Sequence, residues 1–569
     1  MHDLVIRGGT IVDGSGERAR DGDVAVDGCR IAAVGGAAGA GRREVDARGL
    51  LVTPGWVDIH THYDGQVTWD PYLTPSCWHG VTTVVMGNCG VGFAPAKPQR
   101  HDWLIGLMEG VEDIPGTALA EGIRWSWESF REYLDALERM PRALDVAAQA
   151  PHGAVRAYVM GERGAKNEPA TPEDVAGMAR IVREAIAAGA LGFTTSRTVL
   201  HRAVDGEPVP GTFAGEDELL GIGRVLGEAG HGVFEMASDL MPEDNEMAWM
   251  ERLSRETGRP ITFALLQNDL DPLQWRRLLA ATERANAAGA RITPQVAARP
   301  TGLLMGLQST AHPFVSHRTY RAIAHLPLDE RVREMRRPEV RQRIIGEEVQ
   351  FTNPVAAIVA GAFHKLFPLG DPPDYEPAPE KSVAAAARRE GRSPREIAYD
   401  LLLERDGRAL LYFPLLNYSD VDFEPIREML LHPQTVPGLS DGGAHCGIIC
   451  DAGTPTFLLT HWVRDRRRGE RLPLEFVVRR QTRDTAEVYG LNDRGLLAPG
   501  LKADLNLIDL DALALDAPRM VFDLPASGRR LIQKARGYRM TIKDGVPIFE
   551  DGEPTGALPG HLIRGPRGA

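Results

Sequence analysis

The sequence predicts an α/β protein: a (β/α)8 barrel with a small β-sandwich built from both chain ends and a helical insertion. Three observations lead there. Eight short apolar runs alternate with helical patterns between residues 55 and 445. Hairpin-like alternation fills both chain ends. A stretch from 300 to about 405, rich in arginine and proline, breaks the repeat.

The elements follow in order. Residues 1–54 contain "LVIRGGTIVDGSG", "DVAVDGCRIAAVG" and "REVDARGLLVTPG", and residues 495–569 contain "LKADLNLIDL" and "GYRMTIKDGVPIFEDGEPTG". Each reads as short strands bounded by Gly and Asp, and each is too small to stand alone, so the two are expected to form one composite sandwich. The barrel is expected over 55–494, its strands being "GWVDIHTH", "VTTVVMGNC", "DVAAQAPHG", "ALGFTTS", "HGVFEMAS", "PITFALLQ", "RITPQVAARP" and "TVPGLSDGGAH". A further run, "ALLYFPLLNYSD", is either an additional strand or a replacement for one of the eight. Thr171-Pro172-Glu173-Asp174 offers an N-cap, a proline at the first helical position and a capping-box acid, and Gly189 stops that helix. Ser393-Pro394-Arg395-Glu396 repeats the signal, with a stop at Asp406-Gly407. The insertion, residues 300–405, is expected to cover the barrel mouth.

Composition narrows the function. The chain has 569 residues, 43% hydrophobic and 25% charged, an ordinary globular balance. Its net charge of −13 disfavours nucleic acid and anionic membrane as partners. There is neither a leader-like start nor an apolar run long enough to span a bilayer. Five cysteines, an odd number, suit reduced thiols in a cytoplasm. The expected partner is a small molecule, and a homo-oligomer remains open.

The chemistry starts at "GWVDIHTHYD", residues 55–64. Side chains alternate along a strand, so Asp58, His60 and His62 share one face and Val57 and Ile59 the other. With the apolar pair toward the outer helices, both imidazoles point into the barrel at the end where such barrels build active sites, spaced to share one cation. A polar face on an exposed strand is the plain alternative. "VVMGNCG" adds Cys89 at the same expected height, a soft donor suited to Zn2+ or else a buried filler. "VPGLSDGGAH" adds Asp441 after the last strand, where Gly442 and Gly443 would admit a ligand. Cys446 and Cys450 beside His445 are expected to begin the last barrel helix, and "RRRGER", residues 466–471, to be a solvated helix end.

The run G-x-x-D-x-H-x-H, the cysteine-bearing "GVTTVVMGNCG" and the late S-D-G together resemble the amidohydrolase superfamily. In particular they resemble its N-acyl-D-amino-acid deacylase (D-aminoacylase) branch, and the similarity covers nearly the whole chain. The resemblance implies that His60, His62, Cys89 and Asp441 are metal ligands, with Asp441 also the catalytic acid/base. It further implies that His152 in "PHGAVR" matches the branch's third-strand histidine and His445 the histidine after S-D-G. The implied cofactor is zinc, one or two ions per chain. The implied reaction is hydrolysis of a linear amide: metal lowers the pKa of bound water from roughly 15.7 toward about 7, and the resulting hydroxide attacks the carbonyl. Asp441 then passes the proton to the leaving amine, and His152 is a candidate donor to the oxyanion.

Two departures stand out. Where the branch carries metal histidines on strands five and six, this chain has Glu235 and Leu265 or Leu266, and the family's basic residue near strand six is Gln267. Glu235 either supplies a replacement oxygen ligand or orients a ligating histidine. Ser196 and Arg197, after the fourth strand, are candidate substrate contacts together with His152, Gln267 and His445; Arg202 is read as loop decoration. The expected substrate carries an acylated nitrogen. A cyclic amide, a lactone or an N-acyl amine without a free carboxylate is the alternative, and a catalytically silent scaffold barrel is the second.

Overall fold

In the computed structural model, which describes residues 1–351 and 354–565, eight parallel strands follow one another in chain order. They are β1 (Trp56–Thr61), β2 (Val81–Met86), β3 (Asp145–Ala148, continued by Ala150–Pro151), β4 (Gly192–Arg197), β5 (Val233–Ser238), β6 (Ile261–Leu265), β7 (Gln295–Val296) and β8 (Val436–Pro437). β1, β2 and the first part of β3 form one sheet, and the rest of β3 continues through β4, β5, β6 and β7 to β8 in a second. The ring closes at Thr61, which bridges Gly442 in parallel, while the Asp441 N–H donates to the His60 carbonyl. These eight strands are the eight apolar runs of the sequence. Strands covered on both faces read as continuous Val/Ile/Thr stretches rather than alternating ones, and β1 and β2 are buried throughout.

The helices obey their caps. Thr171 accepts from the Asp174 N–H and Asp174 accepts from the Thr171 N–H, opening Pro172–Ala188, and left-handed Gly189 closes it. A cap of this kind contributes about 1 kcal/mol. Ser393 and Glu396 build the same box for Pro394–Leu402. That helix ends at Leu402 rather than at Asp406-Gly407, because Arg405 and Asp406 adopt left-handed backbone (φ 50° and 54°). Val57 and Ile59 pack outward with Ala486, Tyr489 and Leu491 of the last helical segment, which turns the intervening polar residues inward.

The chain ends meet in a nine-stranded sheet whose central pairing joins Leu51–Pro54 to Leu505–Ile508, antiparallel. Leu4, Ile6, Val24, Val52, Leu505, Leu507 and Ile542 share its core. A buried ionic knot lies where this sheet meets the barrel: Asp145 of β3 is within 3.1 Å of Lys502 and Lys543 and 2.7 Å of Arg494.

Between β7 and β8 the chain leaves the barrel. Gly302–Met305, Phe367–Pro368 and Leu411–Pro414 form a separate antiparallel sheet, so "ALLYFP" is an additional strand and replaces none of the eight. The helices Arg318–Ile323, Leu328–Met335, Pro338–Gly346, Val383–Glu390 and Pro394–Leu402 contribute to a core of their own. Lys365 pairs with Asp269 after β6, the Thr310 hydroxyl donates to Asp113 after β2, and the Leu304 N–H donates to the Ile448 carbonyl after β8. Positions 352–353 of the expected insertion and 566–569 of the expected composite sandwich lie outside the described residues.

Candidate metal centre

His60 and His62 lie buried at the end of β1, where the alternation of the strand turns both toward the barrel axis. Cys89 reaches them from the turn after β2, its Sγ 3.4 Å from His60 Nε2, and the three side chains bring a donor atom each within 4.8 Å of one another. Asp441 arrives from the loop after β8, with Oδ1 3.5 Å from His60 Nε2 and 3.7 Å from His62 Nε2. First, second and last strands thus converge on one point.

The turn that carries Cys89 is fastened from two sides. Thr194, Glu235 and Thr262 sit in register across β4, β5 and β6 and face the same way. The Cys89 N–H donates to Glu235 Oε2 at 3.1 Å, the Gly90 N–H donates to Thr194 Oγ1 at 3.1 Å, and the Thr194 hydroxyl donates to the Gly87 carbonyl. Cys89 has φ 54°, Asp441 φ 50° and His445 φ 51°. Three non-glycine residues in left-handed backbone at one site store of order 1–3 kcal/mol each, held by the surrounding bonds.

The orientation of the imidazoles comes from residues the sequence did not advertise. Gln295 of β7 lies with Oε1 3.1 Å from His60 Nδ1, and Glu112 with Oε1 3.2 Å from His62 Nδ1. Gln295 by a hydrogen bond and Glu112 by a charge contact face the nitrogen turned away from the centre and leave Nε2 for it. Glu112 ends the helix His101–Glu112 on the same stripe as Ile105, Met108 and Val111, and a lone acid on an apolar face is the signal that could have found it. Gln295 is a polar residue inside a buried strand run, a weaker signal.

Charges are arranged unevenly. Burial holds the His60 imidazolium down, to a pKa of about 4, whereas His62, although buried, is raised to about 9 by Glu112 and Asp441. Burial pushes Glu235 up to about 8 and the Cys89 thiol well above its usual value. Asp441 is buried too, yet His62, His60 and His445 hold its carboxyl well below the ordinary range.

The remaining predicted residues fall elsewhere. His445 stands beside the cluster, its ring 6.5 Å from that of His62 and its Nε2 3.6 Å from Glu112. Glu235 touches both Cys89 and, at 3.8 Å, His60 Nδ1, while its Oε1 has no hydrogen-bond partner. Ser196 bonds His201 Nδ1 at 3.0 Å, which brings in a histidine the sequence reading passed over. His152 is not free to serve an oxyanion: Nδ1 meets Thr195 Oγ1 at 2.8 Å and Nε2 meets Glu218 Oε1 at 3.0 Å, so both ring nitrogens are occupied. Arg197 is spent on Glu246 and the Ala214 carbonyl. Gln267 clamps β6 to the segment before β8 through Asp420 and the Ser419 N–H. Arg202 bonds the carbonyls of its own loop, Val199 and Gly206.

Three smaller expectations are corrected. Gly442 and Gly443 make room for protein, not ligand: a β-carbon on Gly443 (φ 90°) would lie 2.8 Å from the Tyr63 ring, and one on Gly442 2.5 Å from Ser76 Oγ. Cys446 and Cys450 lie in the loop after β8, ahead of the first helix that follows it, which starts at Thr454 with Gly453 at its N-cap and Pro455 in its first turn. Of "RRRGER", residues 467–471 are exposed just past the helix end at Asp465 as expected, but Arg466 is buried against Glu376.

The "Amidohydrolase family" description matches residues 43–549. D-aminoacylase of Alcaligenes xylosoxydans xylosoxydans is 28% identical over 99% of this chain and 97% of its own length. N-acyl-D-aspartate deacylase of the same organism is 28% identical over 99% of this chain and 95% of its own. A crystal structure of D-aminoacylase superposes with a TM-score of 0.65 at 25% identity, covering 99% of this chain and all of the other. With its two inward histidines, a cysteine on the second strand and an aspartate after the eighth, the chain belongs to the amidohydrolase family and is a hydrolase of C–N bonds other than peptide bonds.

Proposed function

We propose that the chain is a zinc-dependent deacylase of N-acyl-D-amino acids, cutting the linear amide to a carboxylate and an amine. The observation that carries this reading is the convergence of His60, His62 and Cys89 with Asp441 at the closing seam of the barrel. Two imidazoles and a thiol form a donor set of the kind zinc takes, and the bond from Gln295 to His60 Nδ1 with the charge contact of Glu112 at His62 Nδ1 leaves both Nε2 atoms turned to the centre. Those residues fit one ion. Leu265, buried at the end of β6, offers no second nitrogen or oxygen there. When bound, zinc supplies Lewis acidity that makes water acidic near neutral pH and polarises a carbonyl.

The chain's own residues supply the rest. Asp441 accepts a proton from the attacking water and delivers it to the leaving nitrogen. As a strongly ionised carboxylate it is a weak base, and its placement between two ligating histidines compensates through proximity. The relatives named above act on N-acyl-D-amino acids, which is what turns the reading toward that substrate. The five free cysteines fit a reducing cytoplasm.

A second reading, an amide or lactone without a free carboxylate, has its own support. Arg197 after β4 is paired with Glu246, Arg299 after β7 with Asp451, and Lys365 with Asp269, so these cations are already neutralised. A panel of N-acyl D- and L-amino acids against uncharged amides, cyclic amides and lactones separates the two. Turnover of the D-series is the expected result, and turnover confined to the uncharged set overturns the first reading.

A further inference from the structure

His201 has no part in the ligand set, yet the fold holds it beside it. Ser196, at the end of β4, is buried and packs so tightly on Gly90 that a β-carbon there would lie 2.7 Å from the Ser196 nitrogen. Gly90 adjoins the candidate ligand Cys89. His201 hangs from this point through the bond between its Nδ1 and Ser196 Oγ at 3.0 Å. Its backbone is fixed as well: the His201 carbonyl accepts from the Val209 N–H at 3.1 Å, the Ala203 N–H donates to Glu207, and Arg202 ties Gly206. The loop is pinned upstream by Asp239, which accepts from the Thr198 hydroxyl and the Val199 N–H.

The tautomer follows from the serine. A buried hydroxyl must place its hydrogen, and the hydrogen-bond partner of Ser196 Oγ is His201 Nδ1, so the hydroxyl donates to Nδ1 and Nε2 carries the ring hydrogen. Among the described residues, Nε2 has no hydrogen-bond partner, and the ring is half-buried. Through Ser196, which packs on Gly90 next to Cys89, the ring is held at the end of β4 beside the turn that carries the candidate thiol ligand. Burial, and with it the charges of His445 and His62, keeps it neutral, with a pKa of about 3.

The geometry points to His201 as a further catalytic residue, a neutral Nε2–H donor to the carbonyl oxygen of the scissile amide as that oxygen becomes an oxyanion. It keeps its proton throughout and forms no bond to substrate other than this hydrogen bond. It takes the role that His152, with both nitrogens occupied, does not fill. The assignment rests on the amide-hydrolysis reading given above.

The test compares zinc-loaded wild type with His201→Ala and His201→Gln on whichever amide the wild type hydrolyses. Loss of a single oxyanion donor is expected to lower kcat about 100- to 1,000-fold in His201→Ala, with KM within about threefold, at unchanged metal content. His201→Gln, which retains an N–H at similar reach, is expected to recover about tenfold of that loss. A phosphonate analogue of the same substrate, a tetrahedral anion, is expected to lose affinity in His201→Ala by a similar factor in calorimetry, while the carboxylate product does not. A kcat within about threefold of wild type in His201→Ala overturns the assignment, and so does an equal loss in both variants. If His201→Ala fails to fold, His201→Gln decides: a kcat about 10- to 100-fold below wild type at unchanged metal content supports the role, and a kcat within about threefold of wild type or a loss beyond about 1,000-fold overturns it. A wild type inactive on every amide overturns the amide reading and this assignment together, whereas an active wild type with an indifferent His201→Ala overturns this assignment alone.

Discussion

Glu112 Oε1 lies 3.2 Å from His62 Nδ1, and both side chains are almost fully buried. A carboxylate in this position fixes the ring and raises the basicity of Nε2. Glu112→Ala is expected to weaken zinc binding about 10- to 100-fold, read by competition with a chromophoric chelator, with the far-ultraviolet circular dichroism unchanged. Retained affinity would show that the helix His101–Glu112 only packs against the site.

Zinc uptake must displace protons. His62 is raised to about 9 and the Cys89 thiol is held protonated, so near pH 7.5 both enter coordination carrying a proton they have to lose. Both groups bind metal in the deprotonated form, so affinity is expected to rise with pH up to about 9, nearly 100-fold per pH unit where two protons leave together. A pH indicator in weakly buffered metal-free protein is expected to report close to two protons released per ion. Release of none would place the metal elsewhere.

Asp441→Asn keeps the size of the side chain and one oxygen near His60 and His62 but cannot take a proton. Turnover is expected to fall by about 1,000-fold or more, while zinc content stays near that of the wild type. An active variant would move the acid/base role to another group.

Glu218 offers a test of stability rather than catalysis. Burial opposes its ionisation, but hydrogen bonds and charges from His152 and Arg156 hold its carboxyl down to about 2. An ordinary Glu in the unfolded chain titrates near about 4.3, so the folded state binds fewer protons between those values. The stabilisation, on the order of 2–3 kcal/mol, is fully present above pH ~4.3 and disappears as pH falls toward 2. Urea midpoints measured from pH 6 to 2.5 are expected to drop less steeply in Glu218→Gln than in wild type.

Much of this was legible in the chain itself. The eight barrel strands were visible because burial on both faces writes itself as uninterrupted apolar runs, and H-x-H was readable because a strand repeats every two residues. Glu112 and His201 were harder, since Glu112 reaches His62 and His201 reaches Ser196 from outside any strand, and no local period announces that. His152 looked like an oxyanion donor until Glu218, 66 residues away, was seen to occupy its second nitrogen. Arg466 read as solvated because its partner Glu376 lies 90 residues upstream. Contacts that span such distances leave no trace in spacing.

Leu51–Pro54 stops one residue short of Trp56, where the first barrel strand begins, and its antiparallel neighbour is Leu505–Ile508. A ribosome that has finished every barrel strand has therefore still left Leu51 and Val52 with a bare, apolar edge, for roughly the time needed to translate the next seventy residues. Nascent chains at that stage are the ones most exposed to pairing with each other, and a chaperone that shields them needs to act there and then let go.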